Sequence, residues 1–475
     1  MDNSSNISSK IDWVIILLYL IIVGLGFMNL YSSDYKSEEI QISFFSQTYG
    51  KQLIWIGVSI VLAFLIMMID SVAYSMFAYL IYVSVITILF LVLIIGAATH
   101  GAKSWFEIGT FKIQPSEIAK FATALAVAKF ISGNSFKFEI KNFLNIVVTL
   151  AIIVLPVLLI LLQPDLGSAI VYFSFIFVLY REGLPGVFLW LIFGIIIVFI
   201  LALLINQIFL TLIITSVAII FMYIILKEKN DFIRILISAT SFFSLFYFIN
   251  LLFNLNINLL YVIFISIFAW SVYLAIYFMK KRFNTIFVIL GFLFAGLIMQ
   301  FTTDLVFNKI LQPHQRNRID VLFDNSIDPK GVGYNLKQSK IAIGSGGLSG
   351  KGFLKGTQTK LNFVPEHNTD FIFCTVAEEW GFIGSVILFI LYGLLAIRIF
   401  LRAERQISDF SRIYGYSVGS ILFFHFFVNI GMTMGLIPVI GIPLPFFSYG
   451  GSSMLGFTIL LFIFVKLDTE KDLKL

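Results

Sequence analysis

The amino-acid sequence predicts an all-α, polytopic transmembrane helix bundle, and three observations carry that prediction. Of the 475 residues, 59% are hydrophobic and 12% are charged, which leaves too little polar surface to cover a soluble globule. Mean hydropathy is +0.99. Apolar runs recur along the whole length, each close to the roughly 20 residues a helix needs to cross a hydrocarbon core of about 30 Å. Lys and Arg gather in alternate short connections, as cytoplasmic loops require.

The spans follow in order as 13–31, 53–69, 77–98, 117–131, 143–162, 166–180, 186–205, 207–226, 232–253, 259–279, 286–303, 371–397, 413–437 and 452–466, about fourteen in all. The first is too long for a signal-peptide core and is followed by Ser32, Ser33 and Asp34 without a small-residue cleavage site, so it is expected to remain as an anchor. Orientation comes from the bases. Lys129, Lys137 and Lys141 follow the fourth span, and Lys227, Lys229 and Arg234 the eighth. Lys280, Lys281 and Arg282 follow the tenth, and Arg398, Arg402, Arg405 and Arg412 the twelfth. All four clusters fall inside if the amino terminus is cytoplasmic, and an even number of spans returns the carboxyl terminus to the same side. The basic segment 304–370 then lies outside, as a large extracytoplasmic loop long enough to escape the charge rule.

Residues 184–285 are Phe, Ile and Leu helices with minimal loops and no charged residue between Leu184 and Leu226, the composition of a scaffold. The flanking parts, 1–183 and 286–475, hold the polar residues, prolines and glycine runs. In lipid such residues line a cavity or pack against protein. The single Cys374 excludes an intramolecular disulfide and a cysteine metal cluster. No fixed-period repeat and no inverted pair of broken helices is visible.

Four constellations carry chemistry. Gly101 to Trp105 leads into Gln114-Pro115-Ser116-Glu117 and Lys120; Glu117 and Lys120 are helical neighbours, equally a self-satisfied ion pair or an intramembrane site. In Gln163-Pro164-Asp165-Leu166-Gly167 the aspartate suits a helix cap. The loop holds Gln315, Arg316, Arg318, Gln338, Ser339, Lys340, the glycine run from Gly344 to Gly352, and Asn368-Thr369-Asp370. That run fails as a nucleotide loop at Ser345, Ser349 and Gly352. By itself it reads as a flexible turn, and the surrounding bases turn it toward a pyrophosphate-bearing ligand. Asp370 or Thr369 can cap the next helix; a carboxylate facing such a loop can also serve as a general base. Of Glu378 and Glu379, one is expected to face the bundle interior. His425 and Asn429 share one face of a helix and are expected to tie helices together, ahead of Pro443-Leu444-Pro445 and Ser448 to Ser452.

Gln114 to Glu117, Gln163 to Gly167, Gln338 to Gly347, Thr369 to Phe373, Pro443 to Pro445 and Ser448 to Ser452 stand in one order. Together they resemble the SEDS family of bacterial cell-wall polymerases (shape, elongation, division and sporulation), over roughly 10–183 and 286–466. Gly350-Lys351-Gly352 with Gly356-Thr357-Gln358 resembles the elongation branch, RodA, more than the division branch, FtsW. The family has about ten spans, so 184–285 reads as a four-helix insertion. Two motifs depart from the family: His367-Asn368 stands where Arg-His is usual, and Asp324-Asn325 replaces an aspartate-proline step.

The resemblance implies a peptidoglycan glycosyltransferase of the bacterial cytoplasmic (inner) membrane that polymerises lipid II on the outer face during cell elongation. It implies Asp370 as catalytic residue, deprotonating the acceptor 4-hydroxyl as it attacks the donor's anomeric carbon with inversion. Arg316, Arg318, Lys340 and Lys120 are the candidates for binding the pyrophosphate, and Trp105 and Glu117 are carried over by motif position. No metal ligands are visible, although a divalent cation (Mg2+ or Mn2+) on the pyrophosphate suits the chemistry. The implied partners are lipid II, membrane lipid and a class B penicillin-binding protein, the transpeptidase; nucleic acid is not expected. A lipid-linked-oligosaccharide flippase and a non-catalytic scaffold for that transpeptidase are the alternatives.

Overall fold

The computed structural model describes residues 11–34, 47–99, 102–108, 111–134, 143–226, 229–281, 285–305, 307, 313–321, 332–361 and 363–471. It falls into two compact units, Met1–Leu184 with Asn317–Leu475, and Pro185–Arg316.

The first unit opens with α1 (Trp13–Asp34), α2 (Thr48–Met68), α3 (Ser71–Met76) and α4 (Ala78–Ile95). Three short antiparallel strands, β1 (Ala97–Thr99), β2 (Ala102–Ile108) and β3 (Phe111–Ile113), fill the connection to α5 (Pro115–Asn134). Then come α6 (Phe143–Leu162), α7 (Leu166–Ile170), a 3-10 turn (Val171–Ser174) and α8 (Phe175–Arg181). The second unit contains α9 (Gly186–Leu204), α10 (Gln207–Leu226), α11 (Lys229–Leu252), α12 (Leu259–Lys280) and α13 (Thr285–Leu305). After α14 (Pro313–Asp320) the first unit resumes with α15 (Val332–Ser345), α16 (Ile372–Glu404), α17 (Asp409–Met434) and α18 (Gly451–Thr469).

Helix is what lipid dictates, because backbone polar groups find no water there and must pair within their own segment. Among the described residues, twelve helices are long and apolar enough to cross a membrane. The other two expected spans take a different form. The one at 117–131 is α5, whose Glu117, Lys120 and Lys129 lower its hydropathy and whose face from Ala122 to Ala128 is buried in protein. The one at 166–180 is broken at the 3-10 turn between α7 and α8.

The core of the first unit lies on α17 and α18, which are 72% and 83% buried over their apolar windows and pack on α5. At one end, Asp12 receives Arg398 Nε at 2.8 Å and also Arg402, tying the start of α1 to the far end of α16. The second unit has its own core, including Met222, Ile235, Trp270, Leu274 and Phe278. Ile286, Leu290, Leu293 and Leu297 on one face of α13 join that core. The sequence boundary at 285/286 is therefore no boundary of packing, and the unit extends to Arg316.

Candidate active site

Asp370 stands in the turn that starts α16. Thr369 N and Phe371 N both donate to Glu366 O at 3.1 Å, and the helix begins at an N-cap, Phe371, with no side-chain cap hydrogen bond. The main chain of Asp370 is held from the α17 side. Asn429 Nδ2 donates to Asp370 O at 2.9 Å and to Ile442 O at 2.7 Å. Ser448 Oγ donates to Thr369 O at 2.7 Å, and Tyr449 N to Asn368 O at 2.8 Å. Gly441, at φ +81°, makes room for the side chain: a Cβ there would stand 3.1 Å from Asp370 Oδ2. A Cβ on Gly167 would in turn meet Gly441 O at 2.8 Å. The aspartate, the Pro443 loop and the Gln163 to Gly167 motif therefore converge.

The tip of α1 holds the same turn from another side. Asn29 Nδ2 donates to Ile372 O at 3.2 Å, Ser33 Oγ to Asn368 Oδ1 at 2.6 Å, and Asn368 Nδ2 to Asp34 Oδ1 at 3.2 Å. Ser32 Oγ donates to Glu379 and accepts from Leu354 N. These residues had carried no functional weight in the sequence; the available signal was polar side chains at positions 29, 32 and 33, on one face at the end of an apolar helix.

Part of the glycine run is committed to packing on its own protein. Its main chain lies against α16 where that helix breaks at Gly381, φ 65°. Lys351 N and Gly352 N donate to Glu378 O and Glu379 O at 3.0 and 2.9 Å. A Cβ on Gly346 would lie 1.9 Å from Ala377 O, and one on Gly350, at φ +77°, 2.1 Å from Glu379 O. The glycines permit contact between backbones. Gly350→Ala is expected to destabilise the protein by roughly 2–3 kcal/mol through left-handed strain and overpacking, read as a lowered unfolding midpoint in detergent. Both Glu378 and Glu379 are buried, and both clamp this loop.

Glu117 and Lys120 form a buried ion pair at 2.7 Å, with side chains 3% and 2% exposed. Lys120 Nζ also lies 2.9 Å from His425 Nε2 and 4.6 Å from the Phe457 ring centre. Asp165 caps α7 through Ser168 N at 3.0 Å, as expected, and accepts from Gln114 Nε2 at 2.8 Å. Lys340 lies across the end of α17, since a Cβ on Gly435 would meet its Nζ at 2.6 Å; a cation suits that helix C-terminus. Ser339 Oγ donates to Thr433 O at 2.7 Å and fixes α15 there. Trp105 sits half-buried in β2, opposite Ala97. Arg316 is exposed in the other unit, 4.9 Å over the Phe307 ring, and the Arg318 side chain and Asp324-Asn325 lie outside the described residues. Among the described residues no three His, Cys, Asp or Glu side chains are grouped so as to hold a metal ion.

Burial pushes the His367 imidazole below its ordinary value, against the opposing pull of Val364 O, Asp34 and Glu366. The unfolded chain then binds the extra proton more readily, so stability is full above pH 6.5 and declines as pH falls from there toward the folded value. Thermal midpoints should show that decline, and His367→Asn should flatten it.

Comparison with known proteins places these features. The FtsW/RodA/SpoVE family model, described as a cell cycle protein, matches residues 12–212 and 204–473. The chain is 34% identical over 455 residues to the peptidoglycan glycosyltransferase RodA of Treponema pallidum, covering 94% of each. It is also 34% identical to the peptidoglycan glycosyltransferase MrdB of Escherichia coli, over 79% of this chain and 73% of that one. Its fold is similar to the Thermus thermophilus rod shape determining protein RodA, with TM-score 0.56, 23% identity and full coverage of both chains. It is similar too to a chain of a peptidoglycan synthase complex studied for the coordination of polymerization and crosslinking, with TM-score 0.62 and 24% identity over 97% and 98% of the two chains.

Proposed function

The chain belongs to the FtsW/RodA/SpoVE family, and from that premise we propose that Asp370 is the general base by which it joins lipid II units into glycan strands. It is a multi-pass membrane protein and a peptidoglycan glycosyltransferase. The acceptor's 4-hydroxyl attacks the donor's anomeric carbon; its proton passes to the Asp370 carboxylate. The bond from that carbon to the pyrophosphate oxygen breaks with inversion, and lipid pyrophosphate leaves. Because pyrophosphate leaves readily, the protein's work is to align two lipid-borne sugars and supply the base.

One observation carries the reading: the turn bearing Asp370 is fixed through its main chain by Asn429 and Ser448, with its carboxylate oxygen held close to Gly441. Lys340 and Lys120 remain the proposed partners of the pyrophosphate, with Glu117 holding Lys120; Arg316, Arg318 and Trp105 are carried as substrate-binding candidates by the resemblance alone. Any Mg2+ or Mn2+ would travel with the pyrophosphate. The setting is the bacterial cytoplasmic (inner) membrane with both termini inside and the reaction outside, alongside a class B penicillin-binding protein. A peptidoglycan synthase complex among the structural relatives supports that partner.

The test is strand formation from labelled lipid II by the purified protein with its transpeptidase, wild type against Asp370→Asn. Strands from the wild type alone support the base. Equal strands from both remove it, and lipid II crossing liposomes without strands would favour the flippase.

A further inference from the structure

The face of α17 that reaches Asp370 also reaches the intramembrane ion pair. His425 and Asn429 are one turn apart on that face. His425 Nδ1 lies 3.2 Å from Pro443 O, and its Nε2 2.9 Å from Lys120 Nζ. A carbonyl only accepts and an ammonium only donates, so one neutral tautomer serves both, with the proton on Nδ1. Next along the loop, Ile442 O accepts from Asn429 Nδ2, which also holds Asp370 O. The loop then turns back on itself, with Leu444 N donating to Ser448 Oγ at 2.8 Å while that hydroxyl donates to Thr369 O. An unbroken set of contacts thus runs from Glu117 through Lys120 and His425 into the loop that seats Asp370. His425 is 1% exposed and stacks edge-on against Phe457, so the imidazole has little freedom to choose other partners.

We propose that His425 is a positioning residue that couples the Glu117–Lys120 pair to the loop seating Asp370. Movement of the Lys120 ammonium, as when an anionic pyrophosphate competes for it, changes the hold of His425 on Pro443 and with it the placement of the turn at Asp370. The inference rests on Asp370 as base, and it assigns His425 no contact with substrate.

The test uses initial rates of polymerisation over a range of lipid II concentrations for full-length wild type, His425→Phe, His425→Gln and His425→Asn, with thermal midpoints measured alongside. Phe removes both contacts and should lower kcat about 10- to 100-fold, the size of a small misplacement of a reacting group, with KM within roughly twofold. Gln keeps an acceptor for Lys120 and a donor for Pro443 and should restore most of kcat. The shorter Asn reaches Pro443 O without Lys120 and should stay low. Should Phe fail to fold, the contrast between Gln and Asn decides. Equal rates for Gln and Asn, wild-type kcat in Phe, or a rise in KM alone would each overturn the coupling. An active Asp370→Asn would instead remove the base, and a Gln/Asn contrast that vanishes while Asp370→Asn is inactive removes only the coupling.

Discussion

Asp370→Asn is expected to lower kcat for glycan polymerisation by about 10²–10⁴ and to leave the unfolding midpoint in place. The two halves of that expectation have different physical grounds. An amide has nearly the shape of a carboxylate, and the bonds from Asn429, Ser448 and Tyr449 to this turn use the main-chain oxygens of Asp370, Thr369 and Asn368. The substitution therefore keeps them. It removes the basic oxygen, whose loss is felt only once an acceptor hydroxyl must give up its proton. Rates from labelled lipid II together with thermal unfolding separate the two halves. A stable variant that polymerises at the wild-type rate would place the base elsewhere, and a large fall in midpoint would make Asp370 a structural residue.

Glu378→Ala is expected to be the most destabilising single change in the first unit, by about 3–5 kcal/mol. The carboxylate is fully buried and accepts six hydrogen bonds: from Lys351 Nζ, from Thr357 N and Oγ1, from Gln358 N, and from Thr359 N and Oγ1. Removing it leaves an ammonium and a set of main-chain donors without their acceptor in a water-poor setting, which is the expensive half of breaking a buried pair. Glu378→Gln keeps one acceptor and should fall between. Unfolding in detergent reads both, and an Ala variant within about 1 kcal/mol of wild type would mean the loop repairs itself with water.

What the sequence made legible is what local composition determines. Apolar length fixed the helices, and the acidic residue before Phe371 marked the turn at the head of α16. Two glycines of the run were illegible because their reason is a backbone about thirty residues further on: Gly346 is small on account of Ala377 O, and Gly350 on account of Glu379 O. Nothing between Gly344 and Gly352 announces that neighbour. Lys120 posed the opposite difficulty. Its partner Glu117 is legible at i, i+3, whereas His425 lies 305 residues away and reads as a local pair with Asn429. The packing of α13 was hidden for a similar reason, since it resembles any other apolar span until its face is seen among Ile263, Trp270 and Leu274.

The polar tip of α1 also bears on the order in which the protein assembles. Asn29 and Ser32 bond to Ile372 and Glu379, 343 and 347 positions later in the chain. At about 5–20 residues per second, the ribosome needs roughly 20–70 s to make that interval. During that time the amide of Asn29 and the hydroxyl of Ser32 are without the partners they have in the finished protein. The reaction centre is then closed late, by the meeting of the earliest helix with nearly the last ones, so that an unfinished or truncated chain carries no half-built polymerase.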